Sequence, residues 1–424
     1  MEIYYKILER TYKSYKHIFT YEKGLNTITG CSEKFERETE NGFWITKLAH
    51  IEEFYMEGTI LATIKLPIND LDFQMTKHNY CRPNKIIICE EFSLYDIKTY
   101  EKFGLDILKN TYIVDFAARD NNIDFLNWWL ESGLELRYNY AISKASWKGH
   151  TKVLDWWLES GLELRYDNCA INFASRNLKV KVLDWWLASG LESKYNEETI
   201  DWASSGGHVK VLDWWLNSGL ELRYSKFAIQ WASWNGHVNV LDWWLKSGLQ
   251  LRYDEHAITC ASSGGHVTVL DWWLKSGLEL RYCGDAIWRA SDYGRINVLD
   301  WWLNSGLELR YGNEAIDDAS YGRIDVLDWW LKSRLELKYS EEAIDVAIKD
   351  NKRESIKWWI KSGLPLKCTK NIIHWACEKG HFDILELWYE MGLPFGSMKN
   401  ALELASENNH LEIIDWFEKN GFGE

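Results

Sequence analysis

Proline is scarce in this chain: 4 among 424 residues, beside 28 glycines. A collagen-like or low-complexity disordered chain is therefore excluded. Long apolar runs are missing too. No stretch reaches the roughly 18 apolar residues of a membrane span, and Met1 to Tyr15 lacks the apolar core of a secretion signal. The 8 cysteines include no CxxC pair and share no spacing, which reads as free thiols in a reducing compartment. An intracellular, cytoplasmic location is expected. Positive charge is in the minority: 49 Lys and Arg against 63 Asp and Glu, a net of -14. Such a surface suits neither nucleic acid nor an anionic membrane. GxGxxG, Walker, HExxH and GxSxG motifs are absent as well. No enzyme, no cofactor and no metal is expected.

Tryptophan is what the chain has in excess, with 27 residues. A Trp-Trp pair begins at residues 128, 156, 185, 214, 243, 272, 301, 329 and 358, at intervals of 28 or 29. These nine pairs hold 18 of the 27 tryptophans, so the compositional excess is a repeat. The frame continues through Leu387-Trp388 and Trp416-Phe417 and reaches back to Gly104. Eleven units are read over residues 113–424, behind a capping half-unit at 84–112.

The unit from Ala257 to Asp285 shows the pattern. Ala257 to Gly264 is a short first helix, and Asp254 suits its N-cap. Gly265-His266 turns the chain. Val267 to Ser276 is a second helix, apolar over most of its circumference, with Thr268, Asp271 and Lys275 as a narrow polar stripe. Such a helix is expected to be sandwiched between neighbours. Gly277 suits the C′ position, and Leu278 to Tyr282 alternates as an extended connector. One helix pair cannot bury so wide an arc, whereas stacked copies can. A buried indole removes about 150–250 Å² from water. At roughly 25 cal/mol/Å² that is at most about 4–6 kcal/mol before entropy. The tryptophan pairs are thus expected to pack one unit on the next.

The run Ala228 to Leu249, AIQWASWNGHVNVLDWWLKSGL, resembles the ankyrin repeat. Its Gly-His turn recurs at 149–150, 207–208, 236–237, 265–266 and 380–381. The resemblance covers about residues 113–424 and departs from the family in two ways. The period is 29 rather than about 33, and Ala-Ile replaces the usual TPLH start. It implies a mostly α, ankyrin-like solenoid of helix-turn-helix repeats with a shortened finger. The last unit, rich in charge at Glu403, Glu407, Glu412 and Glu418, reads as a C-terminal cap. The Trp-Trp repeat joined to an unrelated N-terminal piece resembles the ankyrin-repeat proteins of giant amoebal viruses. That implies a viral protein acting in host cytoplasm.

Residues 1–83 lie outside the frame and read as a small β-rich module. Met1 to Tyr21, aromatic and basic, reads as a helix. Strand-like runs follow at Phe43-Trp44-Ile45 and Thr59 to Leu66, with turns at Gly24, Gly30, Gly42 and Gly58. Ile86-Ile87-Ile88 reads as a strand, and Leu94 to Phe103 as the capping helix. The sequence leaves open whether the module docks on the first repeat or recruits something of its own. The recurring histidines, such as His237 and His266, sit one repeat apart, too far to share a metal, and are expected to tie the turns. The recurring aspartates, such as Asp242 and Asp271, read as a solvated stripe facing Lys246 and Lys275. Glu and Arg of the connectors are expected to ladder between units, as Glu221 with Arg252 or Arg223.

Framework positions repeat almost letter for letter, and variation concentrates on the first helix. Its candidate partner-binding residues are Trp147, Lys148, Arg176, Trp231, Trp234, Asn235, Trp288, Asp292, Tyr293 and Tyr321. In the ankyrin family the end of the first helix lines the concave groove, and exposed Trp, Tyr and Arg make interface hot spots. The expected function is a non-enzymatic scaffold, a monomer that binds a protein partner on the concave face. The alternative is a substrate adaptor for a ubiquitin-ligase-type machine, recruited through the N-terminal module.

Overall fold

The computed structural model describes residues 3–9, 20–27, 43–77, 81–135, 137–369, 372–392 and 398–421. Two compact units follow one another along the chain, Met1–Thr199 and Ile200–Glu424.

The first unit opens with strands: β1 (Tyr4–Leu8), β2 (Gly24–Thr27), β3 (Ile60–Lys65), β4 (Met75–Lys77), β5 (Cys81–Pro83) and β6 (Lys85–Ser93). Four of them form an antiparallel sheet in the order β1-β3-β6-β2, and β4 pairs with β5. One face buries Tyr4, Leu8, Phe43, Ile45, Ala62, Ile64, Ile86 and Ile88. This corrects the reading of the N-terminus as a helix. Tyr4–Leu8 pairs along its whole length with β3, and a helix that short would be marginal alone. Residues 10–19, with Gly30 and Gly42, lie outside the described residues. The run at Phe43 forms no named strand among the described residues, and just after it Thr46 bridges to Tyr5. The isoleucines at 86–88 belong to β6, a central strand, so the sheet continues past residue 83 into the stretch read as a capping half-unit. The helix Ile97–Phe103 follows it.

Helix pairs then succeed one another. In the first unit they are Ile113–Arg119 with Ile123–Ser132, Ala141–Lys148 with Thr151–Glu159, and Cys169–Arg176 with Val180–Ala188. The helix Glu198–Ser205 carries the boundary, and the second unit runs on to Met398–Glu407 with Leu411–Lys419. His256–Gly264 and Val267–Lys275 show how sequence makes the pair. Asp254 Oδ1 accepts the backbone N–H of His256 at 3.1 Å, satisfying an orphan donor of the first helix. Gly265 adopts φ +84°, open to glycine at little cost, and His266 N–H reaches back to the Ala261 carbonyl at 3.0 Å. The second helix ends where Ser276 Oγ donates to the Trp273 carbonyl and accepts from Leu278 N–H.

The second tryptophan of each pair is buried, as in Trp157, Trp186, Trp244 and Trp273. The first is half-buried, and the leucine after the pair is exposed, as in Leu158, Leu245 and Leu274. The second helix is therefore covered on its flanks and left open outside. The covered flanks agree with a helix sandwiched between neighbours, and the exposed leucines mark its outer side. Stacking along one direction leaves the side away from the first helices to water. Among the described residues no helix is long and apolar enough to cross a membrane.

Candidate interaction surface

Side chains left over for binding are those the repeats do not use on one another. The repeats use most. Within each unit the first tryptophan of successive pairs donates its indole N–H to the preceding repeat's second helix. In the first unit Trp156 reaches Asn127 at 2.6 Å and Trp185 reaches Asp155 at 2.7 Å. In the second unit Trp243 reaches Asp213, Trp301 reaches Asp271 and Trp329 reaches Asp300, each at 2.7 Å. Trp272 reaches Asp242 at 2.8 Å. The recurring aspartates stay on a solvent-facing stripe, with Asp155, Asp213 and Asp300 exposed, and they also accept the next repeat's indole N–H. Lys332 to Asp328, at 3.6 Å, is the kind of contact the sequence suggested. A hydrogen bond to a charged carboxylate is stronger than one between neutral groups, and an exposed lysine pair adds little.

The second tryptophan donates to the serine of the preceding first helix: Trp244 to Ser204 at 3.1 Å, Trp302 to Ser262 at 3.2 Å, Trp330 to Ser291 at 3.0 Å. The connectors add a third seam. Tyr224 Oη donates to the Gln250 carbonyl at 3.0 Å, its ring lies 4.8 Å from that of Trp244, and Arg252 stands over it at 4.7 Å. Connector arginines pair within their own connector, Arg223 with Glu221 at 2.7 Å and Arg281 with Glu279 at 2.6 Å. Of the two partners expected for Glu221, Arg223 of the same connector is the one paired, while Arg252 stacks on Tyr224.

The turn histidines bridge repeats. His150 Nε2 lies 2.9 Å from the Arg119 carbonyl, and His410 Nε2 lies 3.0 Å from the Glu378 carbonyl. Arg295 Nε donates to the Ser263 carbonyl at 2.9 Å in the same way, and Arg323 Nε to the Asp292 carbonyl at 3.2 Å. Burial holds the His150 and His237 imidazoles below the usual histidine range, so both are neutral donors at pH 7. No group of three or more His, Cys, Asp or Glu side chains among the described residues is placed to hold a metal. Burial also pushes Cys260 up to about 11 and Cys377 up to about 12, which leaves both thiols protonated and poor nucleophiles.

The third position of the first helix varies in sequence, yet it serves packing. Asp201 accepts Ser225 N–H at 3.0 Å, Asp317 accepts Ser340 N–H at 2.9 Å, and Asp345 accepts Thr369 N–H at 3.1 Å. Burial raises the Asp317 and Asp345 carboxyls, while these hydrogen bonds oppose it. Trp288 occupies this position. Its indole N–H donates to Asp318 at 2.6 Å, and Arg289 lies over its ring at 3.8 Å. Asp292 in turn accepts from Arg289 at 3.2 Å. Trp288 and Asp292 are therefore half-buried members of a local network. Sequence variation alone could not separate a variable clasp from a variable contact.

The end of the first helix remains open. Trp147 is 37% exposed, Trp234 38%, Tyr293 39% and Tyr321 54%. In the first unit, Lys148 stands 4.0 Å over the Trp147 ring, and Arg176 is exposed. In the second unit, Trp231 stacks on Phe227 with centroids 5.2 Å apart, and Asn235 donates to Ser205 Oγ at 3.1 Å. Trp234 and Tyr293, two repeats apart, meet edge to face at 5.7 Å. They can do so because the repeat between them carries Gly264, where an added Cβ would stand 2.3 Å from the Trp234 carbonyl oxygen. Lys352 lies 4.2 Å over Tyr321.

Residues 200–245 and 373–418 match the family model for ankyrin repeats (many copies). Over these two stretches the chain carries ankyrin repeats. Two proteins of Acanthamoeba polyphaga mimivirus are similar to it. One, uncharacterized, is 42% identical over 114 residues, 26% of this chain and 36% of that protein. The other, described as an ankyrin repeat protein, is 29% identical over 141 residues, 31% of this chain and 42% of that protein. The matches thus span well under half the length of either relative. The crystal structure of the human ASB11 ankyrin repeat domain aligns with 46% of this chain and 98% of its own, at 16% identity and a TM-score of 0.37. Ankyrin repeats are in general protein–protein interaction modules, and these repeats have the family's helix-turn-helix order on a 29-residue frame, with a small N-terminal sheet beside them.

Proposed function

We propose that this chain is a non-enzymatic scaffold that holds a protein partner on the ends of its first helices, the face lining the concave groove in ankyrin proteins. One observation supports it above the others. The second tryptophan of each pair is buried, while the aromatics at the variable first-helix ends, Trp234, Tyr293 and Tyr321, stay open to solvent. Large aromatics held rigid on helices lose little entropy on binding and anchor interfaces. Trp147, Lys148 and Arg176 offer the same kind of surface in the first unit, and Trp231 and Asn235 flank Trp234 in the second. The mimivirus relatives support action in the cytoplasm of an infected cell.

The test is affinity capture with the full chain from amoebal lysate, comparing the native protein with a Trp234→Ala/Tyr293→Ala variant. The expected result is loss of the captured partner with a melting temperature changed by no more than about 2 °C, since partly exposed side chains contribute little to the fold. Undiminished capture by a folded variant would remove these residues from the interface.

A further inference from the structure

The second unit's first-helix edge changes character along its length. Around Trp234 it is neutral: Ser205, Asn235, Ser263 and Gly264, with His237 and His266 at the turns. Beyond Tyr293 the turn position changes to Arg295, Arg323 and Lys352 in three consecutive repeats. Each crosses the preceding repeat's turn glycine. A Cβ on Gly265 would stand 3.1 Å from Arg295 Cδ, on Gly294 3.5 Å from Arg323 Nη1, and on Gly322 4.0 Å from Lys352 Cδ. The arginines use only Nε on the preceding helix's carbonyl. Their Nη groups and Lys352 Nζ form no ion pair among the described residues.

The acids close by in sequence are mostly engaged elsewhere. Asp292 holds Arg289 at 3.2 Å, Asp318 holds the Trp288 indole at 2.6 Å, and Glu354 holds Lys357 at 2.7 Å. Asp325 and Asp350 belong to the same edge, and neither forms an ion pair with the three cations. Three unpaired cations beside the exposed rings of Tyr293 and Tyr321, on a chain of net charge -14, are a local exception. Screening over about 8 Å at physiological salt makes that local exception count for more than the distant negative charge.

Resting on the reading above, we infer that the occupant of this face is an acidic protein segment. It would place an aromatic or aliphatic residue on the Trp234–Tyr293 pair and carboxylates against Arg295, Arg323 and Lys352. Guanidinium binds carboxylate in bidentate fashion, and the free Nη edges are the ones that do it. Other repeats of this chain carry histidine at the same position, which supplies a variant that keeps the turn and removes the charge: Arg295→His/Arg323→His/Lys352→His.

A phage-displayed library of random 12-residue peptides is selected on the intact chain. Retained peptides are then measured against three proteins: native, the triple-histidine variant and Trp234→Ala/Tyr293→Ala. The expected result is peptides enriched in Asp and Glu beside an aromatic or aliphatic residue. Their affinity falls at least about 10-fold on the triple-histidine protein at pH 7.5, and similarly between 50 and 500 mM NaCl. Circular dichroism and the melting temperature check that this variant is folded. Neutral or basic peptides that lose affinity only on the aromatic variant would overturn the acidic occupant while leaving the face intact. Peptides indifferent to both variants would overturn both readings. A selection that retains nothing overturns the acidic occupant.

Discussion

Trp186 donates its buried indole N–H to the hydroxyl of Ser146, 3.3 Å away in the preceding repeat. The contact recurs in the second unit, as between Trp273 and Ser233 at 3.3 Å and between Trp359 and Ser320 at 2.9 Å. The first repeat carries Ala117-Ala118 instead, and the indole N–H of Trp157 is buried without an acceptor. An unsatisfied buried donor costs about 1–3 kcal/mol. Ala118→Ser is therefore expected to raise stability by about 0.5–1.5 kcal/mol, and Ser146→Ala to lower it by about 1–3 kcal/mol. Urea unfolding at constant m-value checks both.

The two tryptophans of a pair should respond differently. Trp273 is buried with its ring against Tyr253 at 5.0 Å, so Trp273→Ala should cost about 3–5 kcal/mol. Trp272→Phe keeps most of the ring and loses the bond to Asp242, for about 1 kcal/mol. Paired unfolding curves, with Asp242→Ala as the second arm of a double-mutant cycle, would show the coupling between the two residues.

Leu178 stands where five other repeats put the glycine of a Gly-His turn, and it adopts φ +56°. A branched side chain in that region is strained by roughly 1–2 kcal/mol. Leu178 is exposed, so little burial is lost on its removal. Leu178→Gly should raise the melting temperature, and a fall would show that the leucine packs more than it strains.

Acid should weaken the stack through the turn histidines. His150 and His237 have folded pKa values held below the ordinary value by burial. The unfolded chain then binds more protons than the folded one once pH falls below about 6.5. Their contribution is complete above that pH and declines as pH falls through the folded value. Melting temperatures between pH 7.5 and 5.5 should drop, and less steeply for His237→Arg, since Arg295 makes the same kind of bond in its own repeat without titrating in that range.

The N-terminal module shows what one sequence could not settle. Its strands were partly legible, because β3 and β6 are rich in isoleucine. Its attachment was not. Arg119 stands at the first-helix position that is Trp147 one repeat later. It binds Glu9 at 3.2 Å and Asp120 at 2.7 Å, while Tyr95 Oη donates to Asp120 at 2.9 Å. The first repeat therefore spends its variable position on the sheet. Glu9 and Arg119 are 110 residues apart, and no local pattern announces such a pair.

What the sequence determined by itself was the repeat: period, helix pair, glycine turn and the burial of indoles, because each follows from a local pattern copied many times. Only the tertiary structure decided how the polar groups are spent. Aspartate to indole, serine to indole and arginine to tyrosine all join residues about 28 to 40 positions apart. The same holds for which variable positions stay open: Trp288, inside its helix, meets Asp318 of the next repeat, whereas Trp234, at the helix end, stays exposed.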